Sequence, residues 1–194
     1  MKKMTYILIG FVGIVLLFAV FMSFRYSNIE MPKYTVIKSY ERNIELRQYP
    51  NMVVAKTSLK DNSFDQSGSD GFRSIAGYIF GGNDKKEKIS MTSPVTVSLE
   101  DTMTMMFLVP KKFNKESLPK PNQSKVEFRE EPKKTVAAIT FGGWADDENI
   151  EIYKNQLISL LKKEGIKHTN KFSFLGYNPP FEVFNRKNEV IVEL

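Results

Sequence analysis

The chain has no cysteine among its 194 residues, one histidine and one tryptophan. Without cysteine there is no disulfide, no thiolate nucleophile, no thiolate metal ligand and no lipid-modified cysteine anchor. With His168 as the sole imidazole, no histidine cluster can hold a metal, and no Ser–His or Cys–His pair sits in a recognisable nucleophile motif. A Gly-rich phosphate loop is absent too. Charge of one sign is not concentrated. Lys2, Lys3 and Arg25 belong to an N-terminal stretch that holds no acid, so the formal charge of +6 falls to +3 for the remainder. That is an ordinary surface, and it argues against nucleic acid, which needs clustered positive charge on one face. Lys85, Lys86 and Lys88 are diluted by Asp84 and Glu87 and read as a solvated loop.

Apolar and aromatic residues are plentiful, with 15 Phe and 8 Tyr. Met4–Phe24 contains no charge over 21 residues, close to the roughly 20 needed to cross a bilayer core. A cleavable signal peptide has a shorter apolar region and a small-x-small site, whereas Phe21-Met22-Ser23 opens on a bulky residue. The segment therefore reads as an uncleaved anchor over residues 1–25. Two lysines precede it and one arginine follows, which places the domain outside the cytoplasm. Residues 26–33 are a polar linker, and 34–194 form one domain, long enough for a full core.

The domain is organised around Gly71–Val95. Phe72, Ile75, Ala76 and Ile79 recur at the helical period, with Ser69 or Asp70 as cap and Gly81-Gly82 as terminator. Ile89–Val95 reads as a strand entering a kink, and Pro94 belongs at an edge or bulge because it lacks an N–H. Strands are expected over Tyr34–Tyr40, Ile44–Tyr49 and Met52–Leu59, then over Val95–Leu99 and Thr102–Val109 as a hairpin. A second helix is expected over Asp147–Glu164, with Ile150, Tyr153, Leu157, Leu160 and Leu161 as its stripe. Phe172–Tyr177, Phe181–Asn185 and Glu189–Leu194 close the chain as strands. Met103, Met105 and Met106 read as core filling.

The two halves repeat. Ile44–Pro50 aligns with Val126–Pro132 at an offset of 82, Val53–Ala55 with Val136–Ala138 at 83, Gly81 with Gly165 at 84 and Pro94 with Pro179 at 85. Each half is β-β-α-β-β, the first with an extra strand in front. Neither buries its faces alone, so the halves must pair. The expected fold is α+β: a distorted antiparallel β-barrel flanked by two helices, preceded by one transmembrane helix.

Several motifs carry a family likeness. Tyr78, Ile79, Gly81 and Asn83 are followed by Met91-Thr92-Ser93-Pro94-Val95. Ile44–Pro50 precedes them, and Phe141-Gly142-Gly143, Gly176–Pro180 and Arg186–Val190 follow in order. This series, spanning Tyr34 to the last residue, resembles the SOUL heme-binding family. Lys187 stands where the family usually has a second arginine, and the N-terminal apolar segment is extra to the family domain. The resemblance implies a distorted β-barrel with two helices, similar in turn to bacterial effector-binding domains that take small molecules between their halves. It implies a heme slot on the first helix and the closing loop, which by position means Phe72, Ile75, Ala76 and Ile79 with Tyr177 and Phe181. Arg73 and Arg186 would meet propionates. Heme wants a flat apolar slot, cations and usually an axial ligand. His168, in a polar Lys-rich stretch, reads as an exposed loop residue; Tyr78 or Met91 could ligate but nothing in the sequence selects them, and because members of the family bind porphyrin without a specific protein ligand the resemblance implies weakly or non-specifically ligated heme. Plain core packing is the competing reading of the helix stripe.

Glu189 has two readings. It is the counter-charge for a cationic aromatic ligand, as in effector-binding domains, or it pairs with Arg47, Arg129 or Arg186 in a structural network. The expected function is non-catalytic binding of heme or another tetrapyrrole by a membrane-anchored domain. The alternatives are a binding module for another hydrophobic or cationic small molecule, or one for a partner helix or lipid.

Overall fold

The structure is a computed structural model and describes residues 10, 13, 29–60, 63–123, 125–179, 182 and 184–194. The apolar segment Met4–Phe24, read above as an anchor, lies outside the described residues apart from Gly10 and Gly13. Among the described residues no helix is long and apolar enough to cross a membrane. Residues 31–194 form their own compact unit.

In chain order this unit holds β1 (Thr35–Tyr40), β2 (Ile44–Tyr49), β3 (Met52–Ser58), α1 (Phe64–Ile79), β4 (Val95–Ser98) and β5 (Thr104–Leu108). Its second half holds β6 (Glu127–Glu131), β7 (Lys134–Phe141), α2 (Asp147–Lys163), β8 (Phe172–Gly176) and β9 (Asn188–Glu193). All nine strands join one antiparallel sheet in the order β1-β2-β7-β9-β8-β4-β5-β3-β6. Exchanging the halves (β2 for β6, β3 for β7, β4 for β8, β5 for β9) reverses this order onto itself about the β4/β8 junction. The repeat read from the sequence is thus built into the sheet. Each half places its first strand, β2 or β6, against the other half.

The expected barrel does not close. β1 and β6 are the edges of a curled sheet: among the described residues the extra strand β1 adds to β2, and no strand pairs with its outer side. The sheet has two different faces. Strand residues alternate between them, so Ala137, Ile139 and Phe141 of β7 face the helices while Val136 and Ala138 face away. On the helix side, Ile75 and Ile79 of α1 and Leu157 and Leu161 of α2 pack on Phe107, Ile139, Val190 and Val192. The opposite face carries a smaller cluster of Tyr49, Val136, Ala138, Leu175 and Ile191, with no helix residue in it.

Several local expectations change. α1 begins at Phe64, well before the Ser69–Asp70 start. Its first turn is held by a distant group: Asp147 accepts from the Phe64 N–H at 3.0 Å and from Ser63 Oγ at 2.6 Å. The helix starts before its apolar stripe because Phe64 packs edge-on to Phe174, with ring centroids 4.9 Å apart. Its end is as expected. Gly81 sits at φ +107°, and a Cβ on Gly82 would lie 2.5 Å from the Gly77 carbonyl oxygen. Ile89–Pro94 is not a strand; Thr92 makes only a bridge, and β4 starts at Val95. Pro94 therefore precedes an internal strand, where its missing N–H costs the ladder nothing, and it is not at a sheet edge. The Phe181–Asn185 strand is absent at the described positions 182, 184 and 185. α2 matches its expected span, with Asp146 as N-cap accepting from the Asn149 N–H at 2.7 Å.

Candidate functional site

The sheet separates the residues that the sequence grouped together. From α1, Ile75, Ala76 and Ile79 are buried against the sheet as core. Phe72 is half-buried with its ring 5.7 Å from that of Phe107. Arg73 points to solvent beside Asp70. Tyr177 and Glu189 lie on the opposite, helix-free face. Phe181 lies outside the described residues.

Glu189 is fully buried on β9, yet its carboxylate is satisfied on both oxygens. Oε2 accepts from Arg47 Nη1 at 2.8 Å and from the Tyr177 hydroxyl at 2.8 Å. Oε1 accepts from the Thr140 hydroxyl at 3.1 Å and lies 3.0 Å from Lys187 Nζ. Lys187, the residue that departs from the family pattern, thus supplies a positive charge here. Arg47 also donates from Nε to Glu45 at 2.7 Å and lies over the Tyr34 ring at 4.3 Å. Burial alone would raise the Glu189 carboxyl, but Arg47, Lys187 and Tyr177 together hold it below the ordinary range. The counter-charge that a cationic ligand would need is taken up internally by Arg47.

Burial pushes Tyr49 and Tyr78 each up to about 12, and it raises Tyr177 as well. A phenol kept neutral by folding stabilises the native state fully below pH 10, its ordinary value. That contribution is lost as pH rises toward about 12. Titration followed by tyrosinate absorbance should therefore show Tyr49, Tyr78 and Tyr177 ionising late, with unfolding free energy falling over the same interval. Complete tyrosinate formation near pH 10 in the folded protein would contradict this.

The helix side holds the first candidate site. The backbone N–H of Ile89 donates to the Ile79 carbonyl at 2.8 Å, and Ser93 Oγ donates to the Tyr177 carbonyl at 3.0 Å. Residues 89–93 therefore bridge the end of α1 to the closing loop that follows β8. Met91, half-buried and packed on the core, sits in that bridge. In the closing loop, Arg186 Nη1 donates to the carbonyls of Pro179 and Glu182, and its guanidinium stacks 4.3 Å from the Trp144 ring. Its Nε is buried without a hydrogen-bond partner. Trp144 is 55% exposed and Phe184 82%, so large apolar surface remains open around this loop. Tyr78 is not available as a ligand there, since its hydroxyl is buried and donates to the Pro119 carbonyl at 3.0 Å. His168 packs edge-on to Phe172 beside Thr169, which is tied to the end of β9. It lies away from the closing loop. Among the described residues no group of three or more His, Asp or Glu could hold a metal ion.

The second candidate site is a groove on the helix-free face, with a cavity volume of about 70 Å³ within a depression of about 590 Å³ that includes open solvent. It straddles the β4/β8 junction, where Thr96 and Leu175 are register partners, and is walled by Tyr49, Met52, Met106 and Ile191. No sequence signal marked it, because its walls come from both halves and each contributes single alternate residues.

A family model described as "SOUL heme-binding protein" matches residues 29–193. Heme-binding protein 2 of Mus musculus is 28% identical over 174 residues, covering 84% of this chain and 84% of the relative. Heme-binding protein 2 of Homo sapiens is 30% identical over 155 residues, covering 75% of each. Among solved structures, the EcmrR C-terminal domain superposes with a TM-score of 0.62 at 14% identity, over 79% of this chain and 98% of that one. An uncharacterized conserved protein from Listeria innocua gives a TM-score of 0.60 at 11% identity, over 78% and 91%. At those identities the structural likeness speaks for the fold alone.

Proposed function

The chain belongs to the SOUL heme-binding protein family, and from that membership we propose that it binds heme or a related tetrapyrrole without catalysing a reaction on it. The observation that carries the reading is a family match across the whole folded unit, including the bridge and the closing loop. The slot we favour lies where α1, residues 89–93 and the closing loop meet. Its residues suit the group in three respects. Exposed Trp144 and Phe184 offer apolar surface to a flat macrocycle. Arg186 Nε, buried and unpaired, is a donor waiting for a carboxylate, and a propionate would complete it. Met91 offers a thioether beside the slot. When bound, heme would supply iron and its spectroscopic signature. The chain's own part is to desolvate one face of the ring and neutralise its carboxylates.

We further propose that Met4–Phe24 anchors the protein in a membrane with residues 34–194 on the extracytoplasmic side. The support is its uncharged length and the two lysines before it. A single experiment addresses both. The full chain should stay in a membrane fraction washed at high salt, and release in that wash would refute anchoring. After detergent extraction, hemin should produce a saturable one-to-one Soret change. It should be unaltered in His168→Ala and roughly tenfold weaker in Arg186→Gln. A non-saturating change, or equal affinity in Arg186→Gln, would overturn the slot.

A further inference from the structure

The helix-free groove contains a polar atom with an unfilled role. Tyr49, on β2, lines the groove and is only 3% exposed, and its hydroxyl has no hydrogen-bond partner. Its charged neighbours are Glu189 and the Arg47 guanidinium; the latter carries only donors, so the Tyr49 proton finds no acceptor there. The Glu189 carboxylate is occupied by Arg47, Tyr177, Thr140 and Lys187. A buried hydroxyl left in this condition is costly to the protein. An acceptor delivered from the groove would relieve it.

The walls set what that acceptor is attached to. Met52, Met106, Leu175 and Ile191 are apolar, and the two methionines are half-buried and adaptable in shape. Lys134, the cation at the rim, is already paired with Glu131 at 3.3 Å and Glu193 at 2.9 Å. No free positive charge is thereby offered to an anion; Glu131, the carboxylate in the lining, is held by Lys134 and by Arg129 at 3.1 Å, and Glu189 is closed to a cation. We infer that the groove is a second binding site, separate from the heme slot, for a neutral apolar molecule bearing a carbonyl-type oxygen that accepts from Tyr49 Oη. It lies on the opposite face of the sheet from α1, so it stands or falls independently of heme binding.

The test uses the full chain in detergent micelles with methyl-labelled methionine, so that Met52 and Met106 report on the groove by NMR. The probes are a matched trio: 2-acetylnaphthalene, 2-ethylnaphthalene and N,N,N-trimethyl-2-naphthylammonium. The ketone should bind saturably, shift both methyl signals, and bind more tightly than the hydrocarbon or the cation. Tyr49→Phe should weaken the ketone roughly tenfold and leave the hydrocarbon within about twofold. The same variant without ligand should melt no lower than the parent, because it removes an unpaired hydroxyl. A lower melting temperature would show a structural hydrogen bond and overturn the inference. So would equal ketone affinity in Tyr49→Phe, preference for the cation, or displacement of the ketone by one equivalent of hemin. Met106→Lys, at a half-buried position, should abolish ketone binding while the protein stays folded, and unchanged binding there would place the ketone elsewhere.

Discussion

Arg47→Ala is expected to lower the unfolding free energy by about 3–5 kcal/mol, enough to unfold a marginal domain. The loss comes less from the missing attraction than from what remains: a fully buried Glu189 facing Lys187 and two hydroxyls, without the guanidinium that donates to its Oε2. The effect has a pH signature. In the parent the Glu189 carboxyl is held low, so its contribution is present above the ordinary carboxylate range and fades as pH falls. In the variant, burial dominates and raises the carboxyl, so stability is retained at low pH and lost as pH rises. Urea denaturation should find the gap between the two proteins narrowing from pH 7 toward pH 4. A constant gap would mean that Glu189 titrates alike in both. The double variant Arg47→Met, Glu189→Leu should recover much of the loss, since neither buried charge is left alone.

Ile75→Ala is the second large effect, at about 2–5 kcal/mol. Ile75 is fully buried between α1 and the sheet, and truncation leaves a cavity that the nine-stranded floor cannot collapse around. The variant separates two roles that the sequence could not. If Ile75 is core, the folded fraction should bind hemin as the parent does, while the melting temperature drops by several degrees. If it walls a ligand, affinity should fall in proportion to the lost apolar area even where the protein remains folded. The geometry supports the first outcome, because the Ile75 side chain faces strands and not solvent.

The sequence is informative where periodicity meets burial. The stripes of α1 and α2 identify the helix-side core, and the drifting offset from 82 to 85 reveals the paired halves. The sequence offers Arg47, Arg129 and Arg186 alike as partners for Glu189, and the fold selects Arg47. Three features were not legible, for different physical reasons. The first turn of α1 looks like loop because Gly68 and its polar neighbours carry no apolar period, and its stabilising carboxylate lies at Asp147 in the other half. The face on which Tyr177 sits is set by strand register, and one residue of slip would reverse it. The groove needs a curled sheet that brings β2, β5 and β8 around a common space, and no local pattern encodes curvature.

The exchange of first strands has a consequence for how such a molecule can exist at all. A solitary copy of the repeat would hold three strands and a helix in one place and offer its first strand elsewhere, leaving a vacant position beside its second strand. Such a unit is satisfied only by a twin that reciprocates. The minimal self-sufficient object is therefore a pair, and joining the two copies covalently replaces a concentration-dependent encounter with an intramolecular one. The linker between β5 and β6, with Pro119 and Pro121, is in this sense the element that makes two reciprocating partners a single chain.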